Sequence, residues 1–148
     1  MNQTEKKYPP NRFRVCIDDA TADLLGRIYS PLSESELKFV EFRELILQMD
    51  ALFDRTGYPQ SFQEKRSFKK AIVPNAAYRG VPITDVTYQE MQQYHGELAT
   101  LDILVESRRN ASWQGLVFSL DGQCLGEYDG EWGLIDLIQK YLQKNTSM

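Results

Sequence analysis

Histidine and cysteine are scarce: the 148-residue chain holds one His, His95, and two Cys, Cys16 and Cys124. A zinc site draws four ligands from His, Cys and carboxylates, usually with paired spacing, and no such pairing is present. His95 lies in Gln93-Tyr94-His95-Gly96-Glu97 with no triad motif near it, so it reads as a loop histidine without a catalytic role. The sequence has no Walker-type loop and no Gly-x-Gly-x-x-Gly, which removes those routes to nucleotides. Asp19-Ala20-Thr21-Ala22-Asp23 opens like a calcium loop. It has Leu24 where that loop needs glycine and Ser30 where it needs glutamate, so it reads as a solvated turn. No cofactor and no metal are implied.

Long apolar runs are missing too. No window of about 18 apolar residues exists to cross a bilayer. The polar start, with Tyr8-Pro9-Pro10, does not resemble a secretory signal. A cytoplasmic protein without a membrane partner is the expectation. Cys16 and Cys124 both sit in apolar strand-like runs and are expected to be buried free thiols.

What is present is an ordinary globular composition, 42% hydrophobic and 26% charged, enough for a single compact domain over residues 1–148. Its net charge of −4 is unevenly spread: residues 1–54 carry −3, residues 55–80 carry +5 and residues 81–148 carry −6. A basic island therefore lies between acidic flanks.

Apolar alternation predicts strands at Phe13–Ile17, Leu24–Ser30 (stopped by Pro31) and Leu37–Val40. Phe42, Leu45, Ile46, Met49, Leu52 and Phe53 then fall on one helical face, and the helix should close near Thr56-Gly57. The last third repeats this order. Strands at Leu101–Val105 and Gly115–Leu120, an Asp121-Gly122 hairpin turn and a strand at 123–128 precede a helix with Leu134, Ile135, Ile138, Tyr141 and Leu142 on one face. An offset of 89 residues lays Gly26 on Gly115, Ser30 on Ser119, Leu45 on Leu134, Met49 on Ile138 and Phe53 on Leu142.

The expected fold is thus α+β, with two similar β-β-β-α units related by an approximate two-fold and built on antiparallel sheets. Unit one covers about 12–56, unit two about 100–144, and a long irregular basic connector about 57–99 joins them. A groove between the units is the default ligand or partner site. The connector's aromatics imply that it packs on the units, with a short helix over Thr87–Gln93. Trp113, which opens a strand, and Trp132, which opens the last helix, are expected to pack in the core or between the units.

Two stretches stand out as contact candidates. Lys65, Arg66, Phe68, Lys69 and Lys70 combine cations with an aromatic, and Tyr58 and Phe62 lie upstream. Such a segment suits an acidic protein surface, docking on the acidic flanks, or single-stranded nucleic acid by phosphate pairing and stacking. The overall acidity weighs against nucleic acid. The second stretch is Arg109-Asn110-Ala111-Ser112-Trp113-Gln114-Gly115.

That second stretch, with the strand, hairpin and Leu/Ile-rich helix after it, resembles a group of small uncharacterised bacterial proteins bearing Asn-x-Ser/Thr-Trp-Gln-Gly. The resemblance extends to Gly26-Arg27-Ile28-Tyr29, Tyr58-Pro59-Gln60 and Arg66-Ser67-Phe68, and covers most of the chain from residue 13. It implies the same architecture and carries no activity. Asn110 to Gly115 also fit half of the PilZ cyclic-di-GMP signature. The Arg-x-x-x-Arg half is missing, Arg66 and Lys70 being the nearest approach, and a β-barrel would not account for the repeated helix.

The resulting expectation is a non-enzymatic interaction or regulatory module that binds a protein partner and self-associates on occasion. Its candidate contacts are Lys65, Arg66, Phe68, Lys69, Lys70, Arg109, Asn110, Trp113 and Gln114. Nucleic-acid binding through the basic aromatic segment 58–70 is the alternative. A PilZ-like site or a carboxylate or Cys–His enzyme is more remote.

Overall fold

The computed structural model describes residues 6–56, 86–109 and 112–146, together with the main chain of 61–62; the side chains of 109, 145 and 146 lie outside the description. The order is β1 (Arg12–Asp19), β2 (Leu25–Tyr29), β3 (Leu37–Phe39), α1 (Phe42–Thr56), β4 (Ser61–Phe62), α2 (Tyr88–Met91), β5 (Ala99–Arg109), β6 (Gln114–Ser119), β7 (Cys124–Asp129) and α3 (Glu131–Thr146). The fold is α+β. Six strands form one antiparallel sheet in the order β3-β2-β1-β5-β6-β7, and the two-residue β4 runs parallel beside the end of β5. At its centre β1 pairs with β5, setting Phe13 opposite Ile103, Arg14 opposite Asp102 and Val15 opposite Leu101.

Strand alternation sorts the side chains to two faces. Phe13, Val15 and Ile17 of β1 and Leu101, Ile103 and Val105 of β5 join Leu45, Met49 and Phe53 of α1 and Leu134, Ile138 and Leu142 of α3 in one core. Each such large apolar side chain, fully buried, contributes about 1.5–3 kcal/mol. Trp113 anchors this layer, its ring edge-on to Phe13 and Phe53 at 5.9 Å from each. The expected helical stripes are the faces that pack. The Asp121-Gly122 turn is present, with Gly122 at φ 90°, a conformation that glycine adopts without a side-chain clash.

The other face of the central strands is covered as well. Arg14, Cys16, Thr100 and Asp102 point there and are all buried. Residues 86–98 close over it: the Arg14 Nη1 donates to the Met91 carbonyl (2.7 Å), Arg27 Nη2 donates to the His95 carbonyl (2.8 Å), and Tyr94 stacks on Tyr29 at 3.8 Å. Helix α2 is fixed by a capping box, in which Thr87 Oγ1 accepts from Glu90 N–H and Glu90 Oε1 accepts from Thr87 N–H. His95 is an exposed member of this covering loop.

The two cysteines are free, but only Cys16 is buried; Cys124 is exposed, against the expectation for it. It lies at the start of β7, the last strand in the sheet order among the described residues. Burial pushes the Cys16 thiol up from its ordinary 9.0 to about 11, and burial also raises the hydroxyls of Tyr128 and of Tyr8, the latter beside the Asp102 carboxylate. All three favour the neutral form in the folded chain. Unfolding above about pH 9 therefore releases protons, so stability is intact below the ordinary thiol pKa and falls as pH climbs towards 11. Urea unfolding at pH 8 and at about pH 10.5 should give a clearly lower midpoint at the higher pH, and a flat profile would refute the burial argument.

Candidate functional site

A groove of ≈1130 Å³ runs between α1 and α3. Phe42, Arg43, Ile46, Leu47 and Asp50 supply one wall and Glu131, Trp132, Ile135, Gln139 and Leu142 the other, while the β1–β2 loop from Asp19 to Leu24 closes in with Leu98. The walls follow from helical phase. Ile46 and Leu142 stand at the margin of the buried stripes, so their apolar surface continues outward into the groove. Leu47 and Trp132 fall off those stripes and are 54% and 87% exposed. Trp132 thus corrects the expectation that it packs inside: its position on α3 is more than a quarter turn from the Leu134, Ile138 and Leu142 face.

The acidic loop is more than a solvated connection. Asp23 Oδ1 accepts the main-chain N–H of Leu24 (2.6 Å) and of Phe42 (3.0 Å), tying the loop to the first residue of α1. Glu44 reaches back to accept the Val40 N–H at 2.8 Å. These bonds hold the loop end of the groove in a fixed relation to the helix.

Asp50 is pinned more firmly. Its Oδ1 accepts from Arg108 Nη1 (3.0 Å) and from Trp113 Nε1 (2.8 Å), while Arg108 Nη2 donates to Asp54 Oδ1 (3.0 Å). The Arg108 guanidinium is buried and lies over the Phe53 ring at 5.3 Å. Asp50 keeps 30% of its side chain exposed, so a carboxylate held by two buried donors faces the groove.

The sequence-derived contacts fall in different places. Lys65, Arg66, Phe68, Lys69, Lys70 and Asn110 lie outside the described residues, as does the Arg109 side chain. Trp113 is fully buried, so it makes no direct partner contact; its role in the site is to hold Asp50. Gln114 points to the opposite sheet face, where its amide bonds Ser107 Oγ (2.7 Å) and Asp129 Oδ1 (3.2 Å). The structure therefore separates the two, Trp113 lying in the core just before β6 and Gln114, its first residue, on the other face. Leu47, Asp50 and Trp132 were not among the expected contacts, although an apolar residue lying off a helix's buried stripe is a readable signal of exposure.

Among the described residues, no three His, Cys, Asp or Glu side chains gather to hold a metal ion, and no helix is long and apolar enough to cross a membrane. The groove offers apolar surface, a net acidic border and an exposed indole, an arrangement suited to recognition. No protein-family model, curated protein or solved structure matches the chain.

Proposed function

We propose that the chain is a non-enzymatic cytoplasmic module that binds a protein partner in the groove between α1 and α3. The observation that carries this reading is the pair of exposed apolar side chains, Leu47 on one helix and Trp132 on the other, that line the same groove with Ile46 and Ile135. Exposing a tryptophan and a leucine on the same feature costs solubility unless a partner covers them, and tryptophan is the residue most enriched among binding hot spots. Two free thiols suit a reducing compartment.

The same reading takes the groove as the seam between two copies of one β-β-β-α unit. Ile17 lies opposite Gly26 and Val105 opposite Gly115; Gly26 in turn faces Phe39, and Gly115 faces Tyr128. Both glycines meet a main-chain carbonyl of the neighbouring strand, Cys16 for one and Leu104 for the other, a pair 88 residues apart and so one position off the 89-residue offset. Ile46 and Ile135, equivalent under the 89-residue offset, both line the groove. These correspondences support duplication and an approximate two-fold between β1 and β5.

A photo-crosslinking residue placed at 47, at 132 and, as a control, at the exposed Lys38 tests the binding reading in the cells of origin. Positions 47 and 132 should give the same discrete protein adduct and position 38 none. No adduct from either groove position, or one common to all three, would refute it.

A further inference from the structure

We infer that the partner segment seated in this groove is an amphipathic α-helix of net positive charge; the inference rests on the binding reading above and specifies its ligand. Main-chain chemistry makes the first selection. The groove is walled by two helices and a loop, and neither β3 nor β7, the end strands of the sheet among the described residues, contributes to it. Beyond their first turns the helices have their N–H and C=O groups already bonded to one another, and the Phe42 N–H at the start of α1 is taken by Asp23. An extended peptide laid along the helices would leave most of its own polar main chain unpaired, whereas a helix satisfies that requirement internally.

Shape makes the second selection. The lining residues run from Phe42 to Asp50 on α1, about 12 Å of helix, and from Glu131 to Gln143 on α3, about 18 Å. A third helix of three to four turns matches the longer wall and can rest its apolar stripe on Ile46, Leu47, Trp132 and Ile135, with axes about 8–10 Å apart.

Charge makes the third. Asp19, Asp23, Asp50 and Glu131 border the groove against Arg43, and Arg108 behind Asp50 leaves the balance negative. Asp50 is already oriented by Arg108 and Trp113, so a partner lysine or arginine meets a carboxylate that needs no further ordering. A second copy of this chain, docked groove to groove, would set these carboxylates against one another. An anionic bilayer would be repelled in the same way.

The test uses the full chain and fluorescently labelled peptides of about 16 residues, long enough for four helical turns. A leucine–lysine peptide with apolar residues at i, i+3, i+4 and i+7 is compared with a leucine–glutamate peptide of the same pattern and with a scrambled leucine–lysine peptide. The amphipathic lysine peptide should bind at least about tenfold tighter than either, and more weakly at about 300 mM than at about 50 mM salt. Binding should blue-shift the tryptophan emission, since Trp132 is exposed and Trp113 is already buried. Trp132→Ala and Glu131→Lys should each weaken binding about five- to tenfold, with the fold intact by circular dichroism.

Equal binding of the glutamate or the scrambled peptide overturns the inference. So does dimerisation that Leu47→Asp abolishes, because the occupant is then a second copy. If crosslinks form at 47 and 132 while the lysine peptide shows no preference, the binding reading stands and the helical, basic ligand falls. If neither appears, both fall.

Discussion

Gly115→Ala is expected to cost the fold about 3 kcal/mol or more, read as a fall in urea midpoint at unchanged slope. A methyl group on Gly115 would be driven into the main-chain carbonyl oxygen of Leu104, with the carbonyl carbon and the Tyr128 hydroxyl each only 2.9 Å away. Neither neighbour can yield cheaply. Leu104 belongs to β5, which pairs with β1 on one side and β6 on the other, so moving its carbonyl disturbs both central ladders. Tyr128 lies opposite Gly115 in β7 and donates its hydroxyl to that same Leu104 carbonyl at 2.9 Å. An aromatic side chain over a strand glycine restores packing that glycine lacks, and alanine would expel it.

Gly26→Ala should cost about as much, because its methyl would meet the Cys16 carbonyl, with Ile17 Cα at 3.1 Å. Gly122→Ala supplies the contrast: nothing lies within 4 Å, and only the φ of +90° opposes the change, at a cost of about 1 kcal/mol. A Gly115→Ala protein within about 1 kcal/mol of the parent would show that β5 and β6 can part without loss, against the close approach described above.

The elements that show one period and one solvent-facing side are those the sequence reveals. The Phe42–Phe53 spacing predicts α1, and the observed helix ends at Thr56, where the expected closing glycine at 57 lies outside the described residues. The hairpin at Asp121-Gly122 and the last helix follow from equally local signals. The central strands were legible on one face only. Alternation places Arg14, Cys16 and Asp102 on the side opposite the core, which ordinarily means water. Here residues 86–98 cover that side, and nothing local to β1 announces a cover that arrives some 75 residues later in the chain.

The apolar stripes of α1 and α3 are legible in the sequence, but the residues that line the groove between these helices are not. Its walls depend on how far apart two helices stand, a tertiary quantity, whereas the motif at 109–115 draws attention to Trp113 and Gln114, which lie on opposite faces. The general tendency of tryptophan to be buried points Trp132 inwards, whereas the phase of α3 sets it outside.

Asp102→Ala is the second large effect, expected at about 3–5 kcal/mol, because it strands a buried cation. Arg14 and Asp102 are each 1% exposed. Asp102 Oδ1 accepts from Arg14 Nε at 2.8 Å, and Oδ2 accepts from Arg12 Nε at 3.1 Å. The carboxylate thus serves two guanidiniums. Arg12 retains partial exposure and lies over the Phe118 ring at 4.4 Å, so it can turn towards solvent. Arg14 cannot; without Asp102 it keeps only the Met91 carbonyl among its described bonds, which lets the cover at 86–98 loosen together with the pair. Asp102→Asn preserves the shape and removes the charge, and should fall between parent and alanine. The double change Arg14→Leu/Asp102→Leu should recover much of the loss, since a buried ion pair replaced by packed apolar groups is often neutral or better. A double-mutant cycle in urea separates these terms. Neither residue touches the groove, so the folded fraction of each variant should bind the lysine peptide as the parent does. An Asp102→Ala protein as stable as the parent would mean that water reaches Arg14, and the description of this sheet face as closed would fail.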